Sequence, residues 1–268
     1  MTAVAPGSTA RAHRAIGHAL PRATAAVAAL AGIAGLAGFA GTATADPADY
    51  VSTPAVEYGE RELEFRYGSA SGPGAARSDA ASVAFGYGAT PWWFTEVYAK
   101  LARDGGGSAH FDAVEWENKF QLTDPGEYPV DLGLLVEIEI PHDRDEGYEL
   151  RLGPLLQKDF GLVQVNANAF LQRHYRANEP EVTELLYQWQ VKYRWREAFE
   201  FGAQGFGDVG KWDDWNRARE QSHIAGPAVF GKLRLGGRQA LVWNAGYLFK
   251  VSHAAPDHTL RAQVEYEF

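Results

Sequence analysis

The chain has 268 residues, 46% of them hydrophobic and 22% charged, with 25 basic against 34 acidic side chains and no cysteine. That length suits one large β-domain or two smaller domains. The missing cysteines exclude disulfides and thiolate metal sites, and the acidic excess argues against nucleic acid, whose phosphates need a basic face.

Residues 1–45 read as a cleaved signal peptide. Arg11, Arg14 and Arg22 form a basic start without acids, an Ala/Gly/Leu-rich apolar stretch follows, and Ala43-Thr44-Ala45 offers a small-x-small cleavage site. Removing this segment takes three arginines and no acid, leaving 22 basic and 34 acidic side chains and a formal charge of −12. Residues 46–55 are expected as a short periplasmic lead, and 56–268 as the folded body.

From there the chain alternates apolar and polar residues in segments of about ten, bounded by Gly, Pro, Asp and Asn. "ERELEFRY" sets Leu63, Phe65 and Tyr67 against Glu62, Glu64 and Arg66. "SVAFGYG", "FTEVYAKLA" and "AVEWENKFQL" follow, and "VDLGLLVEIEI" places Val130, Leu132, Leu134, Val136, Ile138 and Ile140 on one face. "YELRLGPLLQ", "VQVNANAFLQ", "ELLYQWQVKYRW", "AFEFGAQGFG", "AGPAVFGKLRL" and "ALVWNAGYLFKV" continue, and "HTLRAQVEYEF" is the twelfth. Connections after even segments are short ("ATPWW", "TDPGEYP", "KDFG", "REA", "GGR"); those after odd segments are longer and polar. An even count, with tight turns on one side and long loops on the other, predicts an all-β fold: a twelve-stranded antiparallel transmembrane barrel.

Which face points outward follows from three observations. Twelve strands enclose a lumen too wide for one layer of side chains to fill. The polar parity is rich in Glu, Lys, Arg, Gln, Asn and Gly, which suits a hydrated or ion-paired interior. The apolar parity carries Tyr67, Tyr87, Trp116, Tyr187, Trp195, Trp243, Tyr266 and Phe268, rings suited to the headgroup level of a bilayer. Greasy side chains are therefore expected toward lipid.

The ending "VEYEF", closing on Phe268, resembles the last strand of Gram-negative outer-membrane β-barrel proteins of the porin and transporter kind. That resemblance implies an outer-membrane location, lipid as neighbour, and recognition of Tyr266 and Phe268 by the barrel assembly machinery. More faintly, the chain is similar to the outer-membrane family associated with phenol-degradation pathways, but no motif carries a substrate over.

The lumen is expected to be lined by Lys100, Glu115, Glu117, Lys119, Asp131, Glu137, Glu139, Glu149, Arg151, Gln188, Lys192, Arg194, Arg261 and Glu265. Opposite charges on neighbouring strands can pair. They either knit a narrow lumen shut or form charge rings that select a solute, with weak cation preference if the barrel conducts. Trp212, Asp213, Asp214 and Trp215 in the longest outer loop form a candidate binding patch for a sugar or aromatic solute; the plainer reading is a loop packed on its own rim. Glycines around Gly86 and in "GAQGFGDVG" lack the strand-to-helix setting of a phosphate loop and are read as relieving crowding on the lumen parity and letting aromatic rings or strongly coiled strands approach.

His110, His142, His174, His223, His253 and His258 fall at expected outer strand ends or loops without tight ligand spacing. Ser108, Ser222 and Ser252 lie beside or near histidines, but sequence neighbours point to opposite strand faces, poor geometry for nucleophile and base. The expected function is passage of small hydrophilic or amphipathic solutes with no covalent chemistry, cofactor or metal. The alternatives are a rim-active hydrolase and a non-conducting structural or adhesion barrel acting through its loops. Nothing in the residues specifies an oligomeric state.

Overall fold

The computed structural model describes residues 1–2, 46–72, 77–178 and 182–268; the expected signal peptide lies outside the described residues, apart from the first two. Twelve strands run in chain order: β1 Arg61–Ser71, β2 Ser78–Thr90, β3 Trp93–Asp104, β4 His110–Gln121, β5 Asp131–Pro141, β6 Tyr148–Phe160, β7 Val163–Tyr175, β8 Thr183–Arg196, β9 Phe199–Lys211, β10 Ser222–Gly236, β11 Gln239–Lys250 and β12 His258–Glu267. Each pairs antiparallel with its sequence neighbours, and β12 returns to β1, so the sheet closes into a barrel without an edge. Closure leaves no strand with unpaired backbone along its whole length, a condition that hydrocarbon surroundings impose.

The closing seam runs from Glu62↔Glu267 to Ser71↔His258 without a break in register. At its inner end Phe268 donates its N–H to the Arg61 carbonyl at 2.8 Å and accepts the Arg61 N–H at 3.2 Å. The terminal Phe ring stacks on Tyr266 with centroids 5.4 Å apart. The last residue is thus ordered because it completes the circle.

Exposure follows the alternation. Leu63, Phe65, Val83, Phe85, Val97, Trp116, Leu260 and Val264 are exposed on the outer surface. Their neighbours Glu62, Glu64, Ser82, Glu96, Glu115, Arg261 and Gln263 are buried inside. Carboxylates enclosed while leucines face outward is the inverse of a water-soluble barrel and the pattern of a membrane one.

Connections on the inner side, 91–92, 161–162, 197–198 and 237–238, are two residues each, while 122–130 is longer. The outer connections are 72–77, 105–109, 142–147, 176–182, 212–221 and 251–257, with a 3-10 turn at Arg144–Glu146 in the third. Segment 122–130 is the exception to the short-turn rule, and it is braced: Asp131 accepts from the Gly126 N–H at 2.7 Å and Thr123 from the Leu132 N–H at 2.8 Å.

Candidate functional site

The lumen is occupied by the chain itself. Residues 46–56, which include the expected periplasmic lead 46–55, run inside the barrel instead and reach the inner mouth just before β1. Eleven residues span up to about 36 Å when extended, at ~3.3 Å each, enough to thread the ~25 Å apolar band of such a barrel. Polar side chains need partners when enclosed, and the wall supplies them along the whole path.

Near the outer end, Asp46 meets the Lys100 ammonium at 3.1 Å. Lys100 also reaches Glu115 at 3.1 Å and Glu139 at 2.6 Å, so one cation ties three acids. Asp49 meets Arg151 at 3.4 Å, and Arg151 in turn touches Glu137 at 3.4 Å. Deeper in, the Tyr50 hydroxyl donates to Glu117 at 3.1 Å. The Arg66 guanidinium lies 3.5 Å from the centroid of the Tyr50 ring and 4.2 Å from that of Tyr98, a cation–π stack in a desolvated place; Arg66 also pairs with Glu64.

The middle of the segment is held by its backbone and by grease. Asn168 donates to the Ser52 carbonyl at 2.9 Å, and Val51 packs with Phe206, Ile224, Leu248 and Ala255. At the inner mouth Gln121 accepts the Val56 N–H at 2.8 Å, and Arg238 of the last inner turn donates to the Tyr58 carbonyl at 3.0 Å. The wall makes room where the segment passes. A Cβ at Gly68 would lie 2.1 Å from the Pro47 carbonyl oxygen, and one at Gly133 would lie 2.9 Å from Pro54 Cβ.

The rest of the wall divides into two chemical halves. Glu96, Glu117 and Glu137 face one another across β3, β4 and β5, and Glu137 then faces Arg151 on β6. The other half is a chain of amides. Gln204 donates to Gln190 at 2.8 Å, Gln190 to Asn166 at 3.4 Å, and Asn166 to Gln157 at 3.0 Å. Apolar side chains also stand inside, where the alternation predicted only polar ones. Leu135, Leu155, Phe170 and Leu186 form one such cluster.

The residues expected at the lumen fall as follows. Glu115, Glu117, Asp131, Glu137, Glu149, Arg151, Gln188 and Arg261 are buried within the barrel. Arg261 lies over the Phe206 ring at 4.2 Å, and Lys119 over the Phe94 ring at 4.9 Å. Glu265 opposes Glu64 across the closing seam. Lys192 pairs with Glu200 at 3.5 Å, and Arg194 with Asp159 at 2.9 Å near the inner rim.

Carboxylate oxygens of Glu115, Glu117 and Glu137 lie within 4.8 Å of one another, as do those of Glu60, Glu265 and Glu267. In the first group Lys100 pairs with Glu115 and Arg151 with Glu137, while Glu117 accepts from the Tyr50 hydroxyl. Glu60, just ahead of β1, has its carboxyl pushed up to about 7 by burial, with Glu267 opposing its charge.

The outer loop between β9 and β10 folds on itself. Trp215 donates its indole N–H to the Trp212 carbonyl at 3.3 Å, and Asp213 pairs with Lys211 at 3.1 Å. Trp212 and Trp215 stay 52% and 61% exposed, so neither ring is packed onto the rim. Among the rim residues, His174 contacts Glu149 at 3.2 Å. The His223 backbone donates to Ser252 Oγ at 2.8 Å, while its ring engages Tyr187 at 2.9 Å and Gln221 at 2.8 Å. That serine and imidazole therefore do not form a nucleophile–base pair. Gly205 and Gly207 of β9 lie on the outer face under rings and not on the lumen parity expected for them: a Cβ would meet the Trp189 indole or the Tyr187 ring at 2.3 Å, while one at Gly202, on the inner parity, would meet the Val191 carbonyl.

Comparison with known proteins agrees with this architecture. The NanC porin superposes with a TM-score of 0.51 at 11% identity, covering 77% of this chain and 98% of that one. The translocator domain of the autotransporter NalP from Neisseria meningitidis gives 0.49 at 14% identity, covering 83% and 91%. No family model matches the chain, and no curated protein matches it. At such identities the likeness shows the fold alone. Together with the outward-facing apolar belt, the closed sheet makes the chain a twelve-stranded antiparallel β-barrel of the membrane-spanning kind.

Proposed function

We propose that the chain is an outer-membrane channel for small hydrophilic or amphipathic solutes, held shut by its own residues 46–57. The observation that carries this reading is the ladder of contacts from Asp46–Lys100, through Tyr50–Glu117, to Val56–Gln121, which places the segment along the lumen axis. The contacts are side-chain pairings with one apolar anchor at Val51, each separable from the next as a displaceable plug requires, and they differ from the continuous strand pairing of the wall.

When the segment leaves, the amides of Gln157, Asn166, Gln190 and Gln204 offer a solute donors and acceptors in exchange for its water. The facing carboxylates favour cations. No bond is made or broken, and no cofactor takes part. The assembly machinery is the proposed partner for the β12 end. The test is liposome swelling with neutral solutes of graded size. The full chain swells liposomes slowly, and a chain lacking 46–57 swells them fast with a size cut-off. Equal slow rates for two folded barrels refute a displaceable plug.

A further inference from the structure

At the long-loop end of β1, β2 and β3, a charged cluster stands on the lipid-facing side of the wall. Asp79 shares the outward parity of β2 with the exposed Val83. In the register it lies between Ser69 of β1 and Arg103 of β3. Both of its oxygens are engaged. One accepts from Arg77 Nε at 2.7 Å and from the Tyr67 hydroxyl at 2.9 Å, and the other accepts from Arg103 Nε at 3.0 Å. Arg77 Nη2 also donates to the Tyr67 hydroxyl at 2.8 Å. The carboxylate is buried beneath these groups.

The charges do not balance. Two guanidiniums share one carboxylate, which leaves one positive charge in excess. At the same rim Lys211–Asp213, Arg219–Glu220 and Lys250–Asp257 pair one to one. Within the lumen the imbalance is reversed, with Lys100 meeting three acids. The nearby Asp104 lies on the opposite parity and is taken by the Ser78 hydroxyl at 2.7 Å.

A guanidinium offers five donors in a planar fork. Arg77 and Arg103 are each bound along the Nε–Nη2 edge, and among the described residues the Nη1 of neither has a partner. Their side chains stay 56% and 44% exposed. Two forks are thus held from beneath with their ends open, and paired guanidiniums match the oxygens of a phosphate.

Immediately toward the bilayer centre the surface turns apolar. Leu101 follows Arg103 on the same face, about 7 Å along the strand, and pairs with Phe111 of β4. Leu260 pairs with Ser69 on the other side. All three apolar side chains are exposed, as are Phe65, Val83 and Val97 farther in. A molecule with a phosphate at one end and acyl chains at the other meets both surfaces at once, whereas a free phosphate meets only the first.

We propose that Arg77 and Arg103 bind the phosphate of a bilayer lipid in the leaflet at the long-loop end, with its acyl chains lying along Leu101, Leu260 and Val83. Asp79 and Tyr67 are the positioning residues. They fix the two guanidiniums before the lipid arrives, which lowers the ordering cost of binding. The site is on the outside of the wall, so it stands apart from the plug and from solute passage.

The test is native mass spectrometry of the full chain in a neutral detergent, titrated with phosphatidic acid, with diacylglycerol of the same acyl chains, and with inorganic phosphate. Phosphatidic acid should be retained as a discrete adduct, diacylglycerol should not, and inorganic phosphate in excess should fail to displace the lipid. Arg77→Gln leaves Asp79 paired one to one with Arg103, and Arg103→Gln leaves it paired with Arg77, so each variant keeps its buried acid compensated. Either change should weaken phosphatidic acid retention about tenfold or more, the factor one hydrogen bond to a charged group is worth. Lys211→Gln, whose partner Asp213 lies in another loop of the same rim, should change nothing. Equal retention of phosphatidic acid and diacylglycerol, or retention indifferent to both arginine changes, overturns the proposal. Displacement by inorganic phosphate makes the pair a free-anion site and overturns it as well.

Discussion

Lys100→Met tests the outer anchor of the plug. The ammonium sits 3.1 Å from Asp46, 3.1 Å from Glu115 and 2.6 Å from Glu139. At an effective dielectric of about 20, each contact is worth roughly 5–6 kcal/mol of bare attraction. Desolvation offsets most of that, and breaking a buried pair costs about 3–5 kcal/mol net. Two of the three contacts tie wall to wall and only one ties the segment, so its docking should lose about 2–3 kcal/mol; Asp46 then faces two uncompensated carboxylates. At 1.4 kcal/mol per decade, this raises the undocked fraction roughly 30- to 100-fold. The assay is single-channel recording of the purified barrel, scored as opening frequency. Lys192→Met is the control, because its partner Glu200 belongs to the wall. A folded Lys100→Met barrel as silent as the native one, or a Lys192→Met barrel that opens equally, refutes the reasoning.

Val97, exposed on the lipid face at the middle of β3, should cost about 2–4 kcal/mol of folding stability when changed to Arg, read by denaturant titration in lipid vesicles. Phe268→Ala should reduce the yield of folded barrel in cells several-fold while leaving refolding in detergent intact, separating recognition of the last strand from closure. Glu60→Gln should stabilise the barrel above pH 7 and change little below pH 4.5. A carboxyl raised from its ordinary value to about 7 by burial costs folded-state stability as it ionises across that window. The gain, allowing for screening at the rim, is roughly 1–2 kcal/mol by thermal melting at pH 8 against pH 4. With the plug displaced, the acidic wall should pass potassium more readily than chloride, read from the reversal potential in a salt gradient.

The barrel was legible because its period is local. Leu63 out and Glu64 in need only each other's position in the chain, and the same two-residue rule repeats to Phe268. The plug was not legible, because its partners are remote. Asn168 and Arg151 stand 116 and 102 positions from Ser52 and Asp49, and residues 46–56 carry no period of their own. A faint signal existed in the lumen parity, where Gly68 and Gly133 replace polar residues at the points the segment crosses. Another lay in the exceptions to alternation. Leu135, Leu155 and Phe170 occupy lumen positions where their strands otherwise place polar groups or glycine, and they gather with Leu186 into one apolar cluster. The loop tryptophans were readable as a patch, but their exposure depends on how the 212–221 turn folds back, which composition does not convey.

The most direct measurement joins Ser52→Cys to Asn168→Cys, positions brought together where the Asn168 amide reaches the Ser52 carbonyl at 2.9 Å, through a short disulfide-containing crosslinker, and records single-channel current before and after reductant. A segment that lies in the lumen and closes it will be captured by the linker, stay shut while linked, and open on addition of reductant. Failure of the two cysteines to join in a folded barrel, or identical current in both states, would contradict the account.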